Sequence, residues 1–182
     1  MRIITSTDLS DEQEDILFDA PLKDVVLITG PPGSGKTVMA FLRGQALSKK
    51  FDIVSLIMYN KVLSKFSENG SQNNNKIDVR TMHSWVWRWW KGVCRSVRIP
   101  EIQKWSYDWG KMFEILLNKK VDGSLDIDKA NWNHIILDEG QDFNKAMYEF
   151  FNQTRVALFD SKEPPSMTIL ADENQRINED NS

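Results

Sequence analysis

The stretch Gly30-Pro-Pro-Gly-Ser-Gly-Lys-Thr37 constrains this chain more than any other part of it. It follows Val25-Val-Leu-Ile-Thr29, an apolar and mostly β-branched run entered from Lys23-Asp24, which suits a strand buried on both faces of a parallel sheet. It leads into a helical stretch, Val38 to Lys49, whose last turn carries Lys49 ahead of Lys50, as a helix dipole prefers. Strand, glycine-rich turn and helix in that order let backbone N–H groups point inward around phosphate oxygens, and the helix N-terminus adds a favourable field. Gly30-x4-Gly35-Lys36-Thr37 fits the P-loop pattern in full. Gly30, Pro31, Pro32, Gly33, Ser34 and Gly35 form the cradle. Lys36 supplies a point charge to the β- and γ-phosphates, and the Thr37 hydroxyl is placed to ligate Mg²⁺. The pattern points to nucleotide phosphate binding and leaves the reaction open.

A second acidic site narrows the chemistry. Ile135-Ile-Leu-Asp138-Glu139 is an apolar strand ending in adjacent acids. A phosphate loop of this kind needs a carboxylate at the tip of a neighbouring strand to hold Mg²⁺, and Asp138 suits that. Glu139, next along and pointing elsewhere, is placed to orient and deprotonate an attacking water.

The remaining elements alternate. Ile53–Tyr59 reads as a strand, Asn60–Phe66 as a short helix, and Asn69–Asn75 as a polar loop. Ile77–Arg80 reads as a short strand, and Met82 to about Asn118 as mostly helix broken near Pro100. His134–Asp138 is a buried strand, Asn144–Phe159 a helix, and Met167–Ala171 the last strand. Strands alternating with helices predict an α/β fold: a parallel sheet with right-handed crossovers, flanked by helices. The reading is of a single domain over residues 1–182, with residues 81–132 as a helical insertion.

Charge and cysteine content exclude several classes. There are 23 basic and 26 acidic residues, so the chain as a whole is no basic nucleic-acid coat. From Arg80 to Lys111, however, Arg80, Arg88, Lys91, Arg95, Arg98, Lys104 and Lys111 face only Glu101 and Asp108, a local basic stretch able to meet a phosphate backbone. Cys94 is the only cysteine, which rules out an internal disulfide and a cysteine-built zinc cluster. The longest aliphatic run, Val25–Ile28, is far short of the ~20 residues that span a bilayer. With no signal-peptide pattern at the N-terminus, the expectation is a cytoplasmic protein without a membrane partner.

The fuller motif set resembles superfamily 1 DNA helicases of the UvrD/Rep type, in their first, ATP-binding RecA-like lobe. Asp138-Glu-Gly-Gln-Asp142 resembles motif II in its DExQD form, with Gly30–Thr37 as motif I. Leu9-Ser-Asp-Glu-Gln13 resembles the Q motif, Leu56–Lys61 motif Ia, Thr81-Met-His-Ser84 the T-x-H-S element, and Leu170–Gln175 motif III. The likeness spans roughly Leu9 to Ile177.

The resemblance implies ATP and Mg²⁺ as cofactors. Gln13 would read adenine, Gln175 would sense the γ-phosphate, and Thr81, His83 and Ser84 would lie along single-stranded DNA, RNA being a further possibility. Asp142 would brace motif II by hydrogen bonds. Gly140 and Ala171 depart from the family's usual residues without removing a functional group. In that family a second RecA-like lobe carries motifs IV to VI, whose arginines complete the ATP site. No such motifs occur in these 182 residues. The expectation is therefore ATP hydrolysis only when a second lobe, in cis or from a partner subunit, completes the site. The competing expectation is a stand-alone nucleotide-gated P-loop module or subunit.

Trp85-Val-Trp87-Arg-Trp89-Trp90-Lys91 is open to two readings. Aromatic faces beside Arg and Lys can stack bases and meet phosphates. Alternatively, Trp85 with Trp89, and Trp105 with Trp109, each four apart, share one face of a helix and bury it. His83 is likewise either a DNA contact or a hydrogen-bonded structural residue, and Tyr59 either touches nucleotide or DNA or caps the sheet edge.

Overall fold

A computed structural model of the protein describes residues 9–58, 76–159 and 164–172. The predicted helix over Asn60–Phe66, the polar loop, Tyr59 and Gln175 lie outside the described residues. Among the described residues the strands β1 (Val25–Gly30), β2 (Val54–Met58), β3 (Ile77–Thr81), β6 (His134–Leu137) and β7 (Ser166–Asp172) form one sheet in the order β1-β7-β6-β2-β3. Every pairing in it is parallel, as the strand–helix alternation requires. All the strands therefore end on one edge, where a doubly wound sheet gathers its loops.

Helices α1 (Asp11–Phe18) and α2 (Lys36–Leu47) cover one face of the sheet. Leu17, Met39, Ala40 and Leu47 meet Ile28, Val54, Leu56, Ile136 and Leu170 there. The other face carries α3 (Met82–Val93), α4 (Trp109–Val121), the single turn α5 (Ile127–Ala130) and α6 (Lys145–Leu158). Ile57, Ile135, Leu137 and Met167 pack against that layer in one continuous cluster, so residues 81–132 share a core with the sheet. The period of two is plain in β2 and β6, whose successive side chains serve opposite faces and are all buried.

Two expectations are corrected. First, β1 is buried on one face only: Val25 and Leu27 are 45% and 60% exposed. β1 ends the sheet among the described residues, and its second face borders a groove of about 560 Å³ lined by Val25, Leu27, Trp132, Tyr148, Arg155 and Met167. An apolar run reports that a strand can be covered, not what covers it. Second, the break near Pro100 is not a kink between helices but a two-stranded antiparallel hairpin, β4 (Glu101–Gln103) with β5 (Ser106–Tyr107). Trp105 sits at its turn with φ +69°, and Trp109 opens α4, so these two do not share a helix face. Their spacing of four imitated a helical stripe across a hairpin and a helix start.

The Trp85–Trp89 expectation holds: the rings stack with centroids 5.4 Å apart and planes 12° from parallel. Both are buried, with Trp90, Trp109 and Trp132, in an aromatic cluster that includes Phe150 and Phe151. The indole N–H groups of Trp85, Trp89, Trp90 and Trp132 donate to Ser55 Oγ, Ala130 O, Val97 O and Ser166 O at 3.0–3.3 Å, so burial leaves those polar tips satisfied.

A polar network crosses the α2 face. Arg43 is 1% exposed, and its Nε donates to Thr168 Oγ1 at 2.9 Å. Its terminal nitrogens donate to the carbonyls of Ile16, Ala20 and Pro21 beyond and within α1. His134, fully buried, lies with Nε2 2.9 Å from the same Thr168 hydroxyl and Nδ1 2.7 Å from Ser166 Oγ. The helix that starts at the glycine loop is thereby tied to both α1 and the middle of the sheet.

Candidate functional site

The turn after β1 has the conformation its glycines permit. Gly33 and Gly35 sit at φ +81° and +82°, the left-handed region that side chains with a Cβ disfavour, and Gly35 is the N-cap of α2. Lys36 lies back across the mouth of the turn, its Nζ donating to Gly30 O at 2.8 Å and Pro31 O at 2.9 Å. The ammonium is thus held over the concave side, where a phosphate oxygen would replace a carbonyl as its acceptor.

Gln13 comes from a distant helix yet touches the same turn. Ser10 and Gln13 form a capping box at the start of α1, with Gln13 Oε1 accepting from Ser10 N at 3.0 Å. The other end of that amide, Nε2, donates to Ser34 O at 2.9 Å. Gln13 therefore fixes the position of α1 against the loop.

The acids stand across from Thr37. Its Oγ1 donates to Asp138 Oδ2 at 2.8 Å, joining residues 101 apart in sequence. Asp138 is 1% exposed, and its Oδ1 is buried without a hydrogen-bond partner among the described residues. Burial raises the Asp138 carboxyl above its usual value, and the hydrogen bond from Thr37 only partly opposes this. A buried, half-satisfied carboxylate is an expensive arrangement for a fold to keep, unless a cation completes it. Hydroxyl and carboxylate oxygens are hard ligands, so this donor set fits Mg²⁺, which takes few protein ligands and leaves its other positions to water and phosphate.

Glu139 follows with φ +55° and ψ +51°, a left-handed geometry unusual for a residue with a side chain. The turn swings its carboxylate out of the strand line to an exposed position. Gln141 Nε2 donates to Glu139 Oε2 at 2.7 Å, and Gln141 Oε1 accepts from Asp172 N at 3.1 Å. Asp172 in turn is register partner to Gly30, so one buried amide links Glu139, the end of β7 and the start of the glycine turn. Sequence reading gave the bracing role to Asp142. The Asp142 carboxylate is exposed instead, and Gln141 makes the tie. Gln141 stands inside the DExQD pattern, but the pattern does not say which group its amide reaches.

Gly140 has a steric reason to be glycine. A Cβ there would stand 2.5 Å from Ile169 Cγ2 and 3.2 Å from Leu170 O, and its carbonyl accepts from Tyr148 Oη at 2.5 Å. Gly140→Ala is expected to destabilise the protein by about 1–3 kcal/mol through overpacking, read as a lower urea midpoint. An unchanged midpoint would show that the turn yields freely.

At the far end of the same sheet edge, Thr81 closes β3 as register partner of Met58. Its hydroxyl accepts from Ser84 N at 3.4 Å and caps α3. Ser84 Oγ accepts from Arg80 at 3.4 Å. His83 is exposed, with Nδ1 3.0 Å from Tyr107 Oη and its ring 5.5 Å from that of Trp105. Among the predicted site residues, the loop, Lys36, Thr37, Asp138, Glu139 and Gln13 are brought together. Thr81, His83 and Ser84 form a separate group on that edge, and Tyr59 and Gln175 lie outside the described residues.

A parallel sheet whose edge presents a glycine turn, a lysine, a hydroxyl and a buried acid defines a P-loop nucleotide-binding domain. The chain belongs to the AAA domain family, whose model matches residues 13–180. No curated protein matches it significantly. Among the described residues no helix is long and apolar enough to cross a membrane.

Proposed function

We propose that this chain is the ATP-binding lobe of an ATP-dependent DNA helicase or translocase of the UvrD/Rep type. The observation that carries the nucleotide half is the Thr37–Asp138 contact with its unpartnered buried Oδ1. The Thr81–Ser84 group on the same edge supports the nucleic-acid half.

In this reading, Gly30 to Gly35 wrap the phosphates with backbone N–H groups, and Lys36 turns from the loop carbonyls to the β- and γ-phosphates. Thr37 and Asp138 would hold Mg²⁺, which when bound neutralises phosphate charge. Glu139, steadied by Gln141, takes the proton from the attacking water. Gln13 stands beside the loop where adenine would be read, and Gln175 serves as the γ-phosphate sensor. Thr81, His83, Ser84 and Tyr59 follow the DNA strand. The site hydrolyses ATP only when a second RecA-like lobe, in cis or from a partner subunit, completes it.

The test is ATP turnover by the completed protein with and without an oligothymidylate. Single-stranded DNA is expected to raise turnover, and His83→Ala to remove that rise while leaving basal turnover in place. Turnover indifferent to DNA would overturn the helicase reading and leave a nucleotide-binding module.

A further inference from the structure

Of the seven tryptophans, five are buried, and the two that are not stand on one surface. Trp87 is 54% exposed on α3 and Trp105 is 64% exposed at the β4–β5 turn. His83 lies between them. It is four residues from Trp87 on the exposed side of α3, which puts the two side chains next to each other, and its ring is 5.5 Å from that of Trp105. Lys91, a further turn along, holds its ammonium 4.2 Å from the Trp87 ring centroid, and Lys104 stands 6.0 Å from that of Trp105. The result is a stripe in the order Trp105, His83, Trp87, Lys91.

The hairpin that displays Trp105 is anchored rather than loose. Tyr107, on β5, is buried, with its ring 5.3 Å from Trp109 and its hydroxyl 3.0 Å from His83. The ring at 105 is held out by a left-handed turn residue while its neighbour two positions on is fixed in the core. Single exposed apolar side chains are ordinary, but two large rings flanking a third on one surface make a contiguous patch of the kind that marks a contact site. Charge decides which contact. From Ile77 to Lys111 there are seven bases against three acids, in a chain whose net charge is −3. α3 itself carries no acid, and Asp78 is shared between Arg80 and Arg88. Aromatic rings interleaved with cations suit a ligand that offers flat rings and regularly spaced anions together.

We propose that this stripe is a stacking platform for single-stranded polynucleotide, with bases seated on Trp105 and Trp87 and phosphates met by Lys104, Arg88 and Lys91. It rests on the reading of Thr81–Ser84 as part of a strand-binding track, and extends that track along α3 to the hairpin. Stacking on the ring faces that Lys91 and Lys104 leave uncovered makes the platform tolerant of sequence.

The test is fluorescence anisotropy of labelled oligothymidylate and oligouridylate on the full chain, with Mg²⁺·ATP-analogue binding measured on the same preparations. Trp105→Ala and Trp87→Ala are each expected to weaken oligonucleotide binding about tenfold, with Trp→Phe at either position restoring most of it and analogue binding unchanged. Lys91→Ala is expected to flatten the salt dependence, which the tryptophan variants leave intact. A deoxy-over-ribo preference names DNA as the strand, and the reverse names RNA. If both alanine variants bind within about twofold of wild type, the platform is refuted while the track survives. If they instead lose self-association by light scattering and keep oligonucleotide binding, the surface is a protein contact and the proposal falls. If the unaltered chain binds the analogue but no oligonucleotide, the track and the platform fail together.

Discussion

Glu139→Gln, assayed with the second lobe that the proposed function calls for, is expected to lower ATP turnover by about 10²–10⁴-fold while ATP still binds. The amide keeps the size and the left-handed turn at 139 but cannot accept a proton from water. It also keeps an oxygen for Gln141 Nε2, now 2.7 Å from the carboxylate, so the tie to Asp172 survives and the loss is chemical rather than structural. A thermal midpoint equal to that of the unaltered protein would confirm this. Turnover within about tenfold of the original would mean that Glu139 is not the base, because general-base removal ordinarily has a larger effect.

The second large effect is on stability in acid. His134 is fully buried, and desolvation, with Arg43 nearby, lowers its pKa from 6.5 to about 3. Above pH 6.5 the imidazole is neutral folded and unfolded, and the contribution is complete. Below that the unfolded chain takes up a proton that the folded one refuses until about pH 3. Stability is therefore lost progressively across that window, by on the order of 5 kcal/mol in total. Asp138 works the other way, since its raised carboxyl favours the fold when protonated. Comparison with His134→Asn isolates the imidazole. The urea midpoint of the unaltered protein should fall much more steeply from pH 7 to pH 4 than that of the variant. Parallel declines would show that His134 is not the acid-sensitive group.

Much of the nucleotide site was legible because its parts are local. The glycine turn needs only adjacent residues to declare itself, and the strands before it and before Asp138 are short apolar runs with clear ends. The runs at Leu56–Met58 and Ile135–Leu137 read correctly because both of their faces are covered, so no polar alternation interrupts them. Val25–Ile28 carries the same signal yet ends the sheet with one side open, since composition does not record what lies beside a strand. The hairpin at Glu101–Tyr107 was hidden because Trp105 and Trp109 repeat at helical spacing while a left-handed turn separates them. The Gln141–Asp172 tie was invisible for another reason: it joins segments 31 residues apart through one amide, and no periodicity announces such a contact. The tryptophan-rich segment divided by face, with Trp85, Trp89 and Trp90 in the core and Trp87 outside, a division the helical period contains once the start of α3 at Met82 is known.

The most direct measurement is a calorimetric titration of the chain with a non-hydrolysable ATP analogue, with and without Mg²⁺, beside Lys36→Ala. Saturable heat that depends on Mg²⁺ and disappears with the lysine is the predicted result. Heat of equal size from the lysine variant, or none from the unaltered chain, would contradict a phosphate site on this loop.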